Sequence, residues 1–349
     1  MDTACGLHII VVGCGAIGSF LIPLLARFPR VSAATLIDPD RYDESNLSTQ
    51  NILRSDVNEY KVAVQARRLR TANPRLAVVA IPSDVAAVPL GALRADLLLS
   101  CVDSKRARQT VNEVACRWRI PWVDSGLLNS EGLARVSVYM MGEQDPCMEC
   151  AWDERDYAIL EQEYPCGATL DVGHSDVSAA LASLAATLQA IECQKLIDGD
   201  PEHDRSRQLT VDVHSHRMLS TVFRRNPACR FDHAAWNPMP FRCSLQRTSL
   251  MDLLATTGRA RVSGHRFATR LVCPRCGFRF EGLRLDRPKL PCPNCKMRMV
   301  PPDFSALFDQ VDGSLPLTLL SRSLAQVGIL PWDVISGMEK QFEIVPEVL

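Results

Sequence analysis

The chain has 349 residues, 47% of them hydrophobic, and a formal net charge of −1. This length accommodates one large domain with a smaller one, or two domains. The near-neutral charge gives no electrostatic reason to expect a nucleic acid or a membrane surface as partner. No apolar run reaches the roughly 18 residues that a membrane span needs. Because no basic region opens the sequence, we expect no signal peptide and a cytoplasmic protein.

The sequence contains 14 cysteines, a high number for a chain of this size. In a reducing cytoplasm such residues are thiols, metal ligands or nucleophiles rather than a disulfide framework. Their grouping in Cys-x-x-Cys pairs favours metal binding.

The first distinctive feature is a β-branched run over residues 7–12 that ends in Gly13-x-Gly15-x-x-Gly18. The pattern predicts a buried parallel strand, a tight turn and a helix over residues 15–28. Gly13 allows the turn, Gly15 lets a phosphate approach the backbone, and Gly18 lets the helix pack closely. A second strand ends at Asp38, the position that usually binds a ribose hydroxyl. These features predict a nucleotide in a Rossmann-like unit, and a glycine turn without a ligand is the alternative.

The elements that follow alternate between helix and strand. Helices are predicted over residues 56–72 and 104–119, and strands over residues 76–81 and 95–103. Arg67, Arg68 and Arg70 of the first of these helices are interpreted as a solvated face. The alternation predicts an α/β fold with a doubly wound, mostly parallel sheet. Alternating apolar residues from Gly132 to Met141 suggest an antiparallel extension of that sheet.

Several polar residues occur in a fixed order around this unit. They are Asp38, Asp40, Asn46 and Gln50 in or before a polar loop, Lys61 in the next helix, and Asp103 at a strand end. With the glycine turn, this order resembles the ThiF/MoeB/HesA family of E1-like adenylating enzymes over about residues 5–235.

The resemblance implies an enzyme that uses Mg²⁺–ATP to adenylate the C-terminal carboxylate of a ubiquitin-like or sulfur-carrier protein. It implies that Asp38 holds the ATP ribose, that Asn46, Gln50 and Lys61 contact the phosphates, and that Asp103 holds Mg²⁺. These roles suit the residue types, because phosphates need cations and amide donors, and Mg²⁺ needs carboxylates. Asp40 is a further candidate nucleotide contact.

Two features depart from the family pattern. The family usually has an arginine just before the glutamine, where this chain has Thr49. Arg54 could supply the missing guanidinium, or it could be an ordinary surface arginine at a helix start. We expect no counterpart of the N-terminal helix whose arginine reaches the partner subunit's ATP in the family.

Cys147 and Cys150 form a first Cys-x-x-Cys pair, and Cys229 and His233 follow later at a spacing that can chelate from a turn. Structural zinc takes four ligands, so we predict a zinc site from these four residues. The resembling family has a second Cys-x-x-Cys at about this place, which the histidine would replace in part. A pair of uncoordinated thiols in a mobile loop is the alternative.

A second set has the spacing of a zinc ribbon, Cys-x₂-Cys-x₁₅-Cys-x₂-Cys. Its residues are Cys273, Cys276, Cys292 and Cys295. Gly277 permits the tight turn after the first pair. Basic residues surround this ribbon, but few aromatic residues interleave with them, so we do not expect nucleic-acid binding.

Cys166 has no cysteine partner at metal-ligand spacing and precedes a long helix predicted over about residues 174–197. A loop cysteine near a helix N-terminus can act as a nucleophile. In the resembling enzymes a cysteine at this place takes the activated carboxyl group. An ordinary loop cysteine is the alternative.

We therefore predict an adenylation domain at residues 1–240, a linker with one helix at 241–266, the zinc ribbon at 267–302 and a tail at 303–349. We expect a homodimer that serves a bacterial ubiquitin-like conjugation operon in antiviral defence, with an E2-like protein as a further partner. Two other interpretations stay open: an NAD-dependent Rossmann oxidoreductase and a non-catalytic adaptor.

Overall fold

The computed structural model describes residues 6–161, 178–200, 204–287 and 290–347. The chain divides into two compact units. The first comprises Met1–Val85 with Ala95–Ala235, and the second comprises Ala86–Arg94 with Trp236–Leu349. Within the described ranges, no helix is both long enough and apolar enough to cross a bilayer.

The first unit is built on an eight-stranded sheet with helices on its faces. Its strands are β1 (Leu7–Val12), β2 (Val31–Ile37), β3 (Ala77–Ile81), β4 (Leu97–Ser100), β5 (Trp122–Leu128), β6 (Leu133–Tyr139), β7 (Arg207–Asp212) and β8 (Arg217–Val222). Its helices are α1 (Gly18–Leu25), α2 (Lys61–Ala72), α3 (Lys105–Trp118), α4 (Glu154–Glu161) and α5 (Ala179–Asp198). The strand order is β3-β2-β1-β4-β5-β6-β7-β8.

The pairing confirms the predicted fold class. Strands β3, β2, β1, β4 and β5 run parallel, and β6 to β8 pair antiparallel. The antiparallel extension predicted from Gly132 to Met141 is β6. The small residues Ala182, Ala185 and Ala186 of α5 are fully buried in the core beside β1 and α1, which lets this helix approach the sheet closely.

Helix α2 begins at Lys61, five residues later than predicted, because the chain before it forms a short 3₁₀ turn closed by Asp56. The Asp56 side chain is buried, and it pairs with Arg67 and Arg68 at 2.8 Å each. The Arg67 side chain is 52% exposed and that of Arg68 is 23% exposed, so the predicted solvated face is confirmed for Arg67, while Arg68 is partly buried. They hold the polar loop against α2.

The second unit contains two small sheets. Its strands are β9 (Met239–Cys243), β10 (Arg259–Val262), β11 (Arg266–Val272), β12 (Arg279–Asp286), β13 (Leu307–Phe308), β14 (Val311–Asp312), β15 (Val334–Ser336) and β16 (Gln341–Pro346). Its helices are α6 (Leu250–Thr257), α7 (Leu317–Leu320) and α8 (Leu324–Val327). One sheet has the order β14-β10-β15-β16-β9, and the other has the order β12-β11-β13.

The helix predicted within residues 241–266 is present as α6, but the interpretation of this stretch as a linker was wrong. This stretch contains α6 and β10, and Leu250 and Leu253 of α6 are buried in one core with Phe267, Ile335 and Ile344. Helix α6 is amphipathic, and its apolar face covers this core. Near the end of the tail, β15 pairs antiparallel with β16.

Candidate nucleotide and metal sites

The turn after β1 depends on two glycines. Gly13 has a φ of +96°, and a Cβ atom there would lie 2.5 Å from the Cys101 carbonyl oxygen. A Cβ atom at Gly18 would lie 2.1 Å from the Gly13 carbonyl oxygen. Both positions therefore exclude any side chain, and α1 begins directly against the turn.

Gly15 differs, because the space over its Cα atom is open and is flanked by polar groups. The nearest atoms to a Cβ placed there are Lys61 Nζ at 3.9 Å and Gln50 Oε1 at 4.0 Å. Gln50 Oε1 is buried and has no hydrogen-bond partner among the described residues. A buried polar atom of this kind normally has a partner, so the arrangement fits a ligand that lies over Gly15.

Asp38 lies at the base of the turn and is 6% exposed. One carboxylate oxygen accepts the Cys14 backbone N–H at 2.7 Å, and the other accepts that of Asp40 at 2.8 Å. Burial raises the pKa of Asp38, while the nearby Lys61 ammonium opposes that shift. Asp38, which we predict to bind a ribose, therefore also holds the backbone of the turn in place through these two hydrogen bonds.

Lys61 is the first residue of α2, and its Nζ lies 3.3 Å from Asp40 Oδ2. It also lies 5.9 Å from the centre of the Tyr42 ring. The Tyr42 hydroxyl donates to the Cys14 carbonyl at 2.7 Å and accepts from Gln65 at 2.8 Å. Sequence reasoning missed Tyr42 and Gln65, which carry no recognisable motif.

Asn46 and Arg54, two other candidates, make different contacts. Asn46 forms a capping box with Asp43 at the start of a short 3₁₀ helix. The Arg54 side chain is 83% exposed, and its ion-pair partner is Glu44 at 4.0 Å. The structure thus groups Gln50 and Lys61 around Gly15 and leaves the guanidinium of Arg54 in solvent.

Asp103 follows β4, the strand next to β1, and is exposed just before α3, whose first turn is capped by Ser104. Nearby, Cys101 Sγ contacts Gln189 Oε1 at 3.2 Å, and burial raises the pKa of this thiol to about 12. The predicted nucleophile Cys166 lies outside the described residues, so its role stays a prediction.

The four predicted ligands of the first metal site lie together. The Cys147, Cys150 and Cys229 sulfurs and a nitrogen of His233 all lie within 4.8 Å of one another. The His233 nitrogen is 3.6 Å from Cys147 Sγ and 3.5 Å from Cys150 Sγ. Three thiols and one imidazole are a donor set that suits tetrahedral zinc. Burial lowers the pKa of His233, which favours the neutral imidazole that binds metals.

Helix α3 positions both halves of this cluster. The Asn112 side chain accepts the Met148 backbone N–H at 2.9 Å and donates to Glu149 at 3.3 Å. One turn and a half later, Arg117 pairs with Asp232 and donates to the Ala234 carbonyl at 2.8 Å. The ligands therefore meet because one helix holds two segments that are distant in sequence.

The comparisons with known proteins agree with this geometry. The model of the ThiF family matches residues 3–231, which is more than half of the sequence. The chain belongs to the ThiF family.

Several curated relatives of the chain are adenylyltransferases by name. The chain is 28% identical over 226 residues to the molybdopterin-synthase adenylyltransferase of Escherichia coli K12, covering 64% of this chain and 85% of that protein. It is 30% identical over 197 residues to the adenylyltransferase and sulfurtransferase UBA4 of Yarrowia lipolytica. That match covers 55% of this chain and spans less than half, 46%, of the UBA4 protein.

A solved structure shows the same fold. E. coli MccB, crystallised with ATP, superposes with a TM-score of 0.52 at 21% identity over 66% of this chain and 67% of that chain. The similarity supports the fold assignment made from the sheet order.

The second cysteine cluster lies beyond the residues that match the ThiF model. The sulfurs of Cys273, Cys276, Cys292 and Cys295 all lie within 4.8 Å of one another. Cys273 and Cys295 are 3.4 Å apart, and Cys276 and Cys292 are 3.5 Å apart. Four thiols converging in this way suit structural zinc.

Proposed function

We propose that the chain binds Mg²⁺–ATP at the glycine turn and adenylates the C-terminal carboxylate of a small protein or peptide. The observation that carries this proposal is the pair of polar groups over Gly15, where Lys61 Nζ lies beside the unpartnered Gln50 amide oxygen. The amide of Gln50 can rotate to present N–H donors, and a lysine ammonium is a good phosphate ligand. An ATP phosphate would satisfy both groups.

The curated relatives support the same reaction. In addition to the molybdopterin-synthase enzyme, the chain is 27% identical over 226 residues to the sulfur carrier protein adenylyltransferase of Thermus thermophilus. That match covers 80% of the relative. The names of these proteins point to a small carrier protein as the acyl substrate.

In the proposed reaction, an oxygen of the substrate carboxylate bonds to the α-phosphorus of ATP. The bond between the α-phosphorus and the bridging oxygen breaks, and pyrophosphate leaves. Lys61 stabilises the charge that develops on the phosphates, and the turn N–H groups orient them. Asp103, an exposed carboxylate at the carboxyl end of β4, would hold Mg²⁺, which neutralises phosphate charge.

We also propose a second step and a wider setting for the enzyme. Cys166 would accept the acyl group from the adenylate as a thioester, with loss of AMP. Both cysteine clusters would hold zinc. The enzyme would act as a homodimer in the cytoplasm. Its substrate would be a ubiquitin-like protein from a conjugation operon that serves antiviral defence, and an E2-like protein would be the acceptor.

The binding step is tested by titration of the full chain with Mg²⁺–ATP. Replacing Lys61 with Ala should weaken binding by roughly 10-fold, the order expected for a charge-assisted contact. Its ion-pair partner Asp40 is 62% exposed, and the buried Asp38 carboxylate, which loses a nearby cation, keeps its two backbone N–H donors. Arg75→Ala, at an exposed residue before β3, is the control and should not change binding. Failure of the unmodified chain to bind Mg²⁺–ATP would overturn the proposal.

The two chemical steps are separated by ATP–pyrophosphate exchange, with a small sulfur-carrier or ubiquitin-like protein as substrate. Asp103→Ala should reduce exchange by roughly 10²- to 10³-fold, because it removes an electrostatic stabiliser of the transferring phosphate. Cys166→Ala should keep exchange and lose the thiol-labile adduct between enzyme and substrate. Loss of exchange in a folded Cys166→Ala protein would contradict the two-step scheme.

A further inference from the structure

The loop that carries Gln50 over Gly15 is bonded on one side to α1. The Asn51 N–H, directly after Gln50, donates to the Ser19 hydroxyl at 2.9 Å, and the Asn51 side-chain amide donates to the Ser19 carbonyl at 3.4 Å. Ser19 is fully buried in the first turn of α1. These bonds fix the backbone next to the residue whose amide oxygen lies over the glycine turn.

On the other side, one side chain of α2 holds the same loop. Arg68 donates from Nη1 to the Asn51 carbonyl and from Nη2 to the buried Asp56 carboxylate at 2.8 Å. The same Asp56 oxygen accepts the Leu53 N–H at 2.9 Å. We refer to the two bonds of the Arg68 guanidinium as the Arg68 clamp. Because a guanidinium is planar and rigid, the clamp sets the position of Asn51 relative to Asp56.

The neighbouring Arg67 provides a comparison. Its Nη2 lies 2.8 Å from the other Asp56 oxygen, and its further guanidinium contacts within the described ranges are with Glu59 at 2.7 and 3.1 Å. Loss of either arginine removes one positive charge from α2 and leaves Asp56 with one cation. Only the loss of Arg68 also removes the bond to the Asn51 carbonyl.

We propose that Arg68 is a positioning residue, which keeps the Gln50 amide over Gly15 by holding the segment after Gln50 against α2. Without the clamp this segment adopts other conformations for part of the time. The affinity for a ligand falls in proportion to the fraction of molecules in the binding-competent conformation. The inference rests on the proposed binding of Mg²⁺–ATP over Gly15, and it assigns no contact between Arg68 and the nucleotide.

The inference is tested by titration of the full chain with Mg²⁺–ATP in matched variants. Arg68→Met keeps an apolar stem and should weaken binding by about fivefold, because Gln50 is then in place for only a fraction of the time. Arg67→Met is the control and should leave the affinity within about twofold. Arg68→Lys keeps the charge but has no planar fork, so it should weaken binding as Arg68→Met does. Equal weakening by Arg67→Met and Arg68→Met would overturn the inference.

A double-mutant cycle distinguishes positioning from a general loss of structure. Gln50→Ala removes the amide that Arg68 positions, and it should weaken ATP binding by about 10-fold, as for one hydrogen bond to a charged group. In this background Arg68→Met should change the affinity by less than about twofold, because the two residues act as one unit. The same loss in both backgrounds would show that Arg68 does not act through Gln50 and would overturn the inference.

Amide hydrogen exchange separates this inference from the proposed function. The Asn51 N–H reports on the loop without any nucleotide, and Arg68→Met should raise its exchange rate by about fivefold or more, while Arg67→Met should not. If the unmodified chain does not bind Mg²⁺–ATP, the adenylation proposal fails, and faster Asn51 exchange in Arg68→Met alone still supports the clamp. If ATP binds and Asn51 exchanges at the same rate in both variants, the clamp is wrong and the adenylation proposal stands.

Discussion

The two cysteine clusters have similar ligand distances and are assembled in different ways. The ligands of the first, Cys147 to His233, come from segments more than 75 residues apart in sequence. Asn112 and Arg117 of α3 hold those segments in place. The ligands of the second, Cys273 to Cys295, come from two short turns next to the hairpin of β11 and β12.

The two cysteine turns of the second cluster have the same pattern of backbone hydrogen bonds. The Cys273 N–H donates to the Phe278 carbonyl at 2.8 Å, and the Gly277 N–H donates to the Cys273 carbonyl at 3.0 Å. In the other turn, Cys292 donates to Met297 at 2.7 Å and Lys296 donates to Cys292 at 3.0 Å. Each turn is thus a local knuckle that needs little help from the rest of the fold.

The difference indicates whether the fold assembles the metal ligands or the metal stabilises the fold. The fold brings the first set of ligands together, so a metal there adds to an arrangement that already exists. The apolar cluster around the second set is small and includes Cys273 and Cys292 among its five buried members. A core of this size rarely holds a structure by itself, so we expect the metal to stabilise the ribbon.

The largest effect should follow from removing ligands of the second cluster. A Cys276→Ser, Cys292→Ser double variant should lose one of two bound zinc ions and most amide protection in β11 and β12. Structural zinc contributes apparent binding free energies on the order of 10 kcal/mol to small domains. Metal analysis and hydrogen exchange measure the two losses.

The matched control is Cys147→Ser with Cys150→Ser in the first cluster. It should also remove one zinc ion, while β5 and β6 keep most of their amide protection because their core is independent of the metal. Equal loss of amide protection in both double variants would contradict the claim that only the second cluster needs its metal to hold its fold.

An intermediate effect is expected at Arg117, which pairs with Asp232, the residue before His233. Arg117→Met should weaken zinc binding at the first cluster by about 10- to 100-fold, as is typical when a partner of the ligand shell is lost. Competition with a chromophoric chelator measures this affinity.

The control for Arg117 is Arg275→Met. Arg275 lies between two ligands of the second cluster and is exposed, so its removal should leave zinc affinity within about twofold, as for most surface substitutions. A large effect at Arg275 together with none at Arg117 would show that the fold does not support the first cluster.

Local spacing explains what could be predicted from the sequence. The glycine turn, the alternation of strands and helices, and the ribbon knuckles depend on neighbours within a few residues, and their patterns are visible in one chain. The spacing of Cys229 and His233 fitted a chelating turn, and the resemblance paired that turn with Cys147 and Cys150.

Contacts between distant segments could not be predicted. The hydrogen bond from Tyr42 to the glycine turn depends on how the loop folds back. The hydrogen bond from Arg68 to the Asn51 carbonyl depends on how the loop lies against α2, which no local motif encodes. The linker interpretation failed for the same reason, because the core that α6 covers includes strands from the end of the chain.

The smallest expected effect distinguishes the two turns of the ribbon. Gly277 has a φ of +71° and Lys296 has a φ of +64°, and the two residues occupy equivalent places after their cysteine pairs. The left-handed region suits glycine and costs another residue about 1 kcal/mol. Gly277→Ala should therefore weaken zinc binding at the ribbon by about fivefold, and Lys296→Gly should strengthen it by a similar factor. Chelator competition measures both. If Lys296→Gly weakened binding instead, a contact of the lysine side chain would outweigh its backbone strain, and the two knuckles would not be equivalent.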